Sequence, residues 1–266
     1  MSIKLKPRTA KINGHLWGAR ANDWVSFQEG QLRPVYEAVL ERTRVGSGTR
    51  YLDVGCGAGM AAQIAAARGA EVSGIDAAEA LLAIARSRTP AGDFRRCDLE
   101  ELPFADRSFD VVAGFNSLQY AGNPAVALGE ARRVTRPGGA VVIVTWGNPD
   151  GMEAASFVTA LRPLMPPAPP DAPGPFALSD EAALRSFAAA AGLRPVEILD
   201  VDSPFIYADE TSALRGLNSS GIAARAMENS NVQDVTDAHA KAIAPFRQHD
   251  GSYHIKATFR CLLAAP

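Results

Sequence analysis

Between residues 49 and 146 the chain alternates short apolar runs with helical stretches, and this order constrains its fold more than any other feature. Arg50–Val54 reads as a strand and Met60–Arg68 as a helix stopped by Gly69. Glu71–Ile75 and Glu79–Arg88 repeat the pattern, the helix ending near Pro90. Phe94–Cys97 and Phe109–Gly114 follow as strands. Ala125–Val134 reads as a helix with Pro124 at its start and Gly138-Gly139 behind its end, and Ala140–Thr145 as an apolar strand. Strand and helix in alternation predict an α/β, doubly wound, mostly parallel sheet with helices on both faces. Right-handed crossovers leave few topologies for it.

The flanks read differently. Before residue 45 the spacing of Leu32, Val35, Tyr36, Val39 and Leu40 predicts a helix with one apolar face. Trp17, Trp24 and Phe27 form an aromatic group that either packs this region on the core or closes over a ligand. Residues 163–175 carry seven prolines and read as a stiff loop. Ser179 is placed to cap a helix running to Ala191, and Val196–Phe205 reads as a strand. Asp209–Phe246 reads as helical in two or three pieces. Tyr253, Ile255, Ala257, Phe259, Cys261 and Leu263 alternate with polar residues, the mark of a strand that is antiparallel or near an edge. The expected organisation is an N-terminal helical cap over 1–48, a core over 49–208 and 249–266, and a helical lid insertion over 209–248.

With 47% hydrophobic and 21% charged residues, the 266-residue chain can bury a sizeable core. Its formal net charge is -2, and positive charge gathers only at Lys4, Lys6, Arg8 and Lys11. That start reads either as an arm for an anionic surface or as a solvated terminus, and no nucleic-acid partner is expected. Cys56, Cys97 and Cys261 have neither metal-ligand spacing nor an even count. No run reaches the ~18 apolar residues that span a bilayer, and no signal-peptide core opens the sequence. A cytoplasmic protein without a metal or a membrane partner is expected.

The chemistry gathers at Leu52-Asp53-Val54-Gly55-Cys56-Gly57-Ala58-Gly59, where the first strand turns into the first helix. In a doubly wound sheet that turn lies at the carboxyl edge, where ligands bind. Asp76 ends the second strand and Asp98 follows the third, so three successive strands each carry a carboxylate along one edge. An acidic residue after the second strand suits a ribose diol, and a third carboxylate can accept from an adenine amino group. Acidity also draws a cation. S-adenosyl-L-methionine offers a sulfonium, an ammonium, a ribose diol and an exocyclic amine, without phosphate. A nucleotide-dependent oxidoreductase is the alternative, although the spacing after Gly59 departs from the dinucleotide fingerprint. A cofactor-binding regulatory module without catalysis is a third reading.

Residues 49–146 closely resemble class I methyltransferases of the type 11 group, which includes the ubiquinone and menaquinone C-methyltransferases. The resemblance rests on Leu52–Gly59, Gly74-Ile75-Asp76, Leu102-Pro103-Phe104, Phe109-Asp110-Val111-Val112 and Arg133-Val134-Thr135-Arg136-Pro137-Gly138-Gly139. It implies a seven-stranded sheet with the last strand antiparallel. It implies that the Gly55–Gly59 loop, Cys56 and Gly57 included, contacts the methionine part of S-adenosylmethionine, Asp76 the ribose and Asp98 with Leu99 the adenine, that Asn116 and Gln119 line the cofactor, and that Asp53 and Ala77 are further cofactor-binding residues. Arg20 and Trp24 sit where family members cover the cofactor. The expected activity is in-line methyl transfer to a small, largely apolar metabolite. No catalytic residue stands out; His239, His249 and His254 are the candidate bases, and Tyr120 and Trp146 are candidates to line the acceptor pocket.

Overall fold

The computed structural model describes residues 7–167 and 174–266. The expectations for Lys4, Lys6 and the middle of the proline run lie outside the described residues. The described chain opens with α1 (Ala10–Gly18) and the short α2 (Ala21–Asp23), winds through irregular helical turns over Trp24–Gln28 and Glu29–Leu32, and enters α3 (Arg33–Arg42). Then β1 (Arg50–Val54), α4 (Met60–Ala67), β2 (Glu71–Asp76), α5 (Glu79–Arg88), β3 (Asp93–Arg96), β4 (Phe109–Phe115), α6 (Pro124–Val134) and β5 (Thr135–Trp146) follow in the expected order. Next come α7 (Ala155–Ala160), α8 (Glu181–Ala190), β6 (Arg194–Asp202) and β7 (Phe205–Tyr207). The chain closes with α9 (Glu210–Asn218), α10 (Gly221–Asn229), α11 (Val232–Ile243), β8 (Tyr253–Ile255) and β9 (Thr258–Ala265).

The main sheet has seven strands in the order β3-β2-β1-β4-β5-β9-β6. Pairs from β3 to β5 are parallel, whereas β9 runs antiparallel to both β5 and β6. This is the doubly wound arrangement expected from the sequence, with the last strand reversed. Alternate residues feed two cores. Tyr51, Val111, Ala113, Val142 and Val144 face α3 and α4, while Leu52, Val54, Val112, Val141 and Ile143 face α6 and α8. Both faces being covered is why the central strands read as near-continuous apolar runs.

Several boundaries differ from the sequence reading, each for a local reason. The strand expected over Val196–Phe205 is two strands. Ser203 is buried, its N–H donating to Ala257 O and its hydroxyl to Gln31 O, and Pro204 offers no N–H. The alternating C-terminal run likewise breaks at Lys256, whose N–H is taken by Glu153 Oε2. After each break the chain changes partner, and β7 and β8 form a separate two-stranded ribbon. β9 is interior; β6 is the edge. The cap of α8 is Asp180, which accepts from Ala183 N, rather than Ser179, whose hydroxyl donates to Phe176 O. Strand β5 begins at Thr135 because that residue pairs with Phe109 before a register shift. Part of the proline run, Arg162–Leu164, is a 3-10 turn with Pro163 near its start. Arg8 is ion-paired with Glu101.

The Leu102-Pro103-Phe104 and Arg133 stretches prove to be two halves of one clamp. Arg133 donates to Glu130 Oε1 and Oε2 at 2.7 and 2.8 Å, to Leu102 O at 3.0 Å, to Phe104 O at 2.8 Å and to Asp106 at 2.8 Å. Glu130 in turn accepts from Leu102 N. The clamp fixes the chain that follows Asp98. Replacing Arg133 leaves Phe104 O without its donor and takes one donor each from Leu102 O and Glu130, so Arg133→Ala is expected to cost about 2–3 kcal/mol and to lower Tm by about 4–10 °C. Thermal unfolding of the variant checks this; an unchanged Tm would contradict the clamp.

Candidate functional site

The glycine loop is held against β2 from below. Gly55 N and Cys56 N both donate to Ile75 O at 2.8 Å, and Gly59 N closes the turn on Cys56 O at 2.9 Å. Gly55 and Gly59 lie at φ of 78° and 81°. A Cβ at Gly55 would stand 2.5 Å from Ser117 Cβ, and one at Gly59 would stand 2.8 Å from Ala85 Cβ. These two glycines let the end of β4 and helix α5 close on the loop. Gly57 differs. Its φ is 54°, but the nearest atom to a Cβ there is Trp24 Nε1 at 3.8 Å, which is ordinary contact. Cys56 is buried, and burial raises its thiol well above the usual range.

The structure brings the three sequence-identified carboxylates to one edge but gives them different surroundings. Asp76 accepts from Gly57 N at 2.9 Å and Ala78 N at 2.8 Å, so it ties the glycine loop to the start of α5. Burial raises its pKa, while the backbone N–H groups of Ala78, Gly57 and Ala77 oppose the shift. Asp98 accepts from Glu100 N through Oδ1, and its Oδ2 is buried without a hydrogen-bond partner among the described residues. Asp53 is only 2% exposed, and no donor among the described residues reaches its carboxyl. Burial, then the charges of Asp76 and Glu29, push its pKa well above the usual carboxylate range. Nearby, Gln119 donates to Asn116 Oδ1, which leaves Gln119 Oε1 as a second buried acceptor without a donor. Asn116 adopts a positive φ of 51°. Leu99 is half-buried beside Asp98.

An N-terminal roof covers this edge. A Cβ on Gly14 of α1 would stand 2.3 Å from Ala77 O, so α1 lies directly on the segment after Asp76. Thr9 and Asn13 both donate to Tyr120 O. Trp17 packs edge-on against Trp24 and Tyr120, with ring centroids 5.3 and 5.9 Å apart. Trp24 thereby faces the glycine loop. Arg20 donates instead to Met227 Sδ at 3.6 Å, in α10, and lines a shallow depression with Ala80 and Ile84. The roof is laced to β7 by Gln28–Tyr207 and to the helices that follow it by Asp23–Arg215 and His15–Glu228.

Sequence reasoning missed the residue that fastens this roof. Glu29, 2% exposed, accepts from Arg88 Nη1 at 2.5 Å and from Met60 N at 3.1 Å, and Arg88 also donates to Ala58 O at 2.9 Å. No spacing or motif marks Glu29; the only signal was a carboxylate among aromatic residues. Of the candidate bases, His249 and His254 are exposed. His239 is buried in α11, where its Nδ1 pairs with Asn218 Oδ1 at 2.7 Å; burial lowers its pKa to about 4, so the ring is neutral. Trp146 is stacked on Phe259 and packed among Phe157, Phe176 and Phe205.

Residues 52–143 match the family described as the methyltransferase domain. Over 129 residues the chain is 39% identical to malonyl-[acyl-carrier protein] O-methyltransferase of Erwinia pyrifoliae, covering 48% of this chain and 49% of that protein. Over 128 residues it is 36% identical to demethylmenaquinone methyltransferase of Renibacterium salmoninarum, covering 48% and 53%. The chain thus spans about half the length of the curated relatives it matches. Among solved structures, the [4+2]-cyclase SpnF aligns over 99% of this chain and 98% of its own, with TM-score 0.61 and 21% identity. A SAM dependent methyltransferase from Aquifex aeolicus aligns over 68% and 92%, with TM-score 0.53 and 18% identity. These likenesses establish the class I methyltransferase fold.

The loop geometry separates the glycines by what they tolerate. Gly55→Ala meets both an unfavourable φ and a 2.5 Å contact, whereas Gly57→Ala meets the φ alone. The first is expected to cost about 1–3 kcal/mol more than the second. Paired melting curves check this, and equal Tm values would contradict it.

Proposed function

We propose that the chain is an S-adenosylmethionine-dependent methyltransferase acting on a small, largely apolar metabolite. The observation that carries the reading is the pair of buried acceptors without donors, Asp98 Oδ2 and Gln119 Oε1, on the sheet edge that holds the glycine loop. Buried polar atoms are rarely left unpaired, so both await a donor. An adenine amino group and the ribose hydroxyls are such donors. Each oxygen of Asp76 uses one lone pair on a backbone N–H and keeps another for a ribose hydroxyl. In this reading Gly55, Cys56, Gly57 and Gly59 border the methionine portion and Ala77 the ribose. Asp53 supplies negative charge opposite the cofactor's positive groups, Leu99 flanks the adenine, Asn116 lines the site and Trp24 covers it. Arg20, turned toward Met227, contributes to the roof.

The cofactor supplies an electrophilic methyl carbon on a positively charged sulfur. The chain's own part is to orient the acceptor and to exclude water, which can account for much of the rate of a displacement that needs no acid at the leaving group. Trp17, Trp24 and Tyr120 provide the exclusion. An apolar acceptor is supported by the aromatic group around Trp146 at the carboxyl end of β5. Ala213, Leu217 and Ile243 from the inserted helices join the same apolar cluster. The insertion is read as the lid of the acceptor pocket. Because it shares that cluster, point changes test it better than deletion. The oxidoreductase reading is disfavoured by the reversed strand β9 between β5 and β6, since dinucleotide folds continue in parallel there.

Two measurements test the proposal. Release of S-adenosylhomocysteine across a panel of apolar hydroxyl, amine and activated-carbon compounds is expected to identify an acceptor; binding without turnover throughout would favour the regulatory reading. In calorimetry, Asp98→Asn and Asp76→Asn are each expected to weaken S-adenosylmethionine binding about tenfold to a hundredfold, through loss of a charge-assisted hydrogen bond. Unchanged affinity would remove that residue from the site.

A further inference from the structure

The buried carboxylates beneath the glycine loop outnumber the cation available to them. Asp53 lies on the face of β1 that carries Tyr51 and looks toward α3 and α4. The titratable groups around it come from every packed element. Asp76 is on β2, Glu29 in the N-terminal roof, Tyr36 on α3, Cys56 in the loop, Tyr51 on the same strand, and Arg88 on α5 beside Glu29. Arg88 is committed to Glu29 and Ala58 O. Asp76 has its backbone N–H donors. Among the described residues Asp53 has neither a cation nor a donor, and a buried carboxylate in that position is costly unless it is neutralised.

We propose that Asp53 holds a proton in the ligand-free protein and releases it to solvent when S-adenosylmethionine is bound, so that the ligand's positive groups take the proton's place. The inference rests on the cofactor reading above. It follows from charge balance: one anionic partner stands free beside a site whose proposed ligand carries a sulfonium and an ammonium. Binding then displaces a proton, and affinity weakens as pH falls. Below the point where Asp53 titrates in the folded protein, affinity is expected to change by up to about tenfold per pH step of one.

Calorimetric titration of the whole chain with S-adenosylmethionine, in buffers of different ionisation enthalpy at a series of pH values, counts the protons. Release is expected to rise toward about one proton per bound cofactor as the pH is lowered. Adenosine, which has no positive group, is expected to bind without release, and Asp53→Asn to bind S-adenosylmethionine more weakly and without release. Binding of S-adenosylmethionine with no proton released, or with equal release from Asp53→Asn, overturns the proposal. Absence of any binding by the wild-type chain instead defeats the cofactor reading, and the proposal with it.

A ligand-free measurement stands independently. A carboxyl whose pKa is raised by folding stabilises the fold while protonated, and that contribution is lost as pH rises through the folded pKa. Asp53→Asn removes the dependence. Its Tm is therefore expected to exceed that of wild type near pH 8, with the gap closing toward pH 5. A gap that does not change with pH overturns the proposal.

Discussion

Burial of Glu29 against Arg88 organises the site. One carboxylate from the N-terminal segment reaches the amide that starts α4 and the guanidinium at the end of α5, and that guanidinium reaches back to the glycine loop at Ala58. Four parts of the chain meet at a pair whose carboxylate is buried and whose guanidinium is half-buried. Such a pair is a poor source of net stability, because both charges lose hydration. Its value is geometric: removing Arg88 strands the Glu29 carboxylate in the interior, at a cost of about 3–5 kcal/mol, so alternative placements of the roof are penalised. Burial raises the pKa of Glu29 and Arg88 opposes the shift, consistent with a carboxylate held at its post by one cation.

The same economy of partners runs through the ligand edge. Asp76 is satisfied by backbone N–H groups and thereby shapes the loop. Asp98 and Gln119 each keep an acceptor unspent. Asp53 keeps an entire carboxyl unspent. Structural carboxylates in this chain look different: Asp110 is engaged by Arg50 N and Arg136, and these partners outweigh burial to hold its pKa below the usual range. The contrast between spent and unspent acidic groups separates the scaffold from the proposed binding edge.

Most of the fold was legible in the sequence because its signals are local. The glycine loop, the caps and the alternating apolar runs each mark an element within a dozen residues, and right-handed crossovers order them. Errors fell where a distant partner decides the outcome. The break between β6 and β7 depends on Ser203 reaching Gln31, and the break before β9 on Glu153 reaching Lys256. Neither pairing leaves a trace in spacing. Within the site, Asp76 and Asp98 were readable from their places at strand ends. Their division of labour was not, since it depends on which backbone N–H groups the fold turns toward them. Glu29 was invisible for the same reason, and the Arg133 stretch, read as a mark of kinship, is a clamp on the chain after Asp98.

The proposed cofactor position is along the loop, between Asp76 and the unspent acceptors, beneath Trp17 and Trp24. A co-crystal structure with S-adenosylhomocysteine tests it most directly. The expected density places the ribose within hydrogen-bond distance of Asp76 and the adenine amino group on Asp98 Oδ2 or Gln119 Oε1, with the homocysteine portion along Gly55–Gly59. Ligand density in the shallow depression lined by Arg20, Ala80 and Ile84, with the loop edge empty, would contradict it.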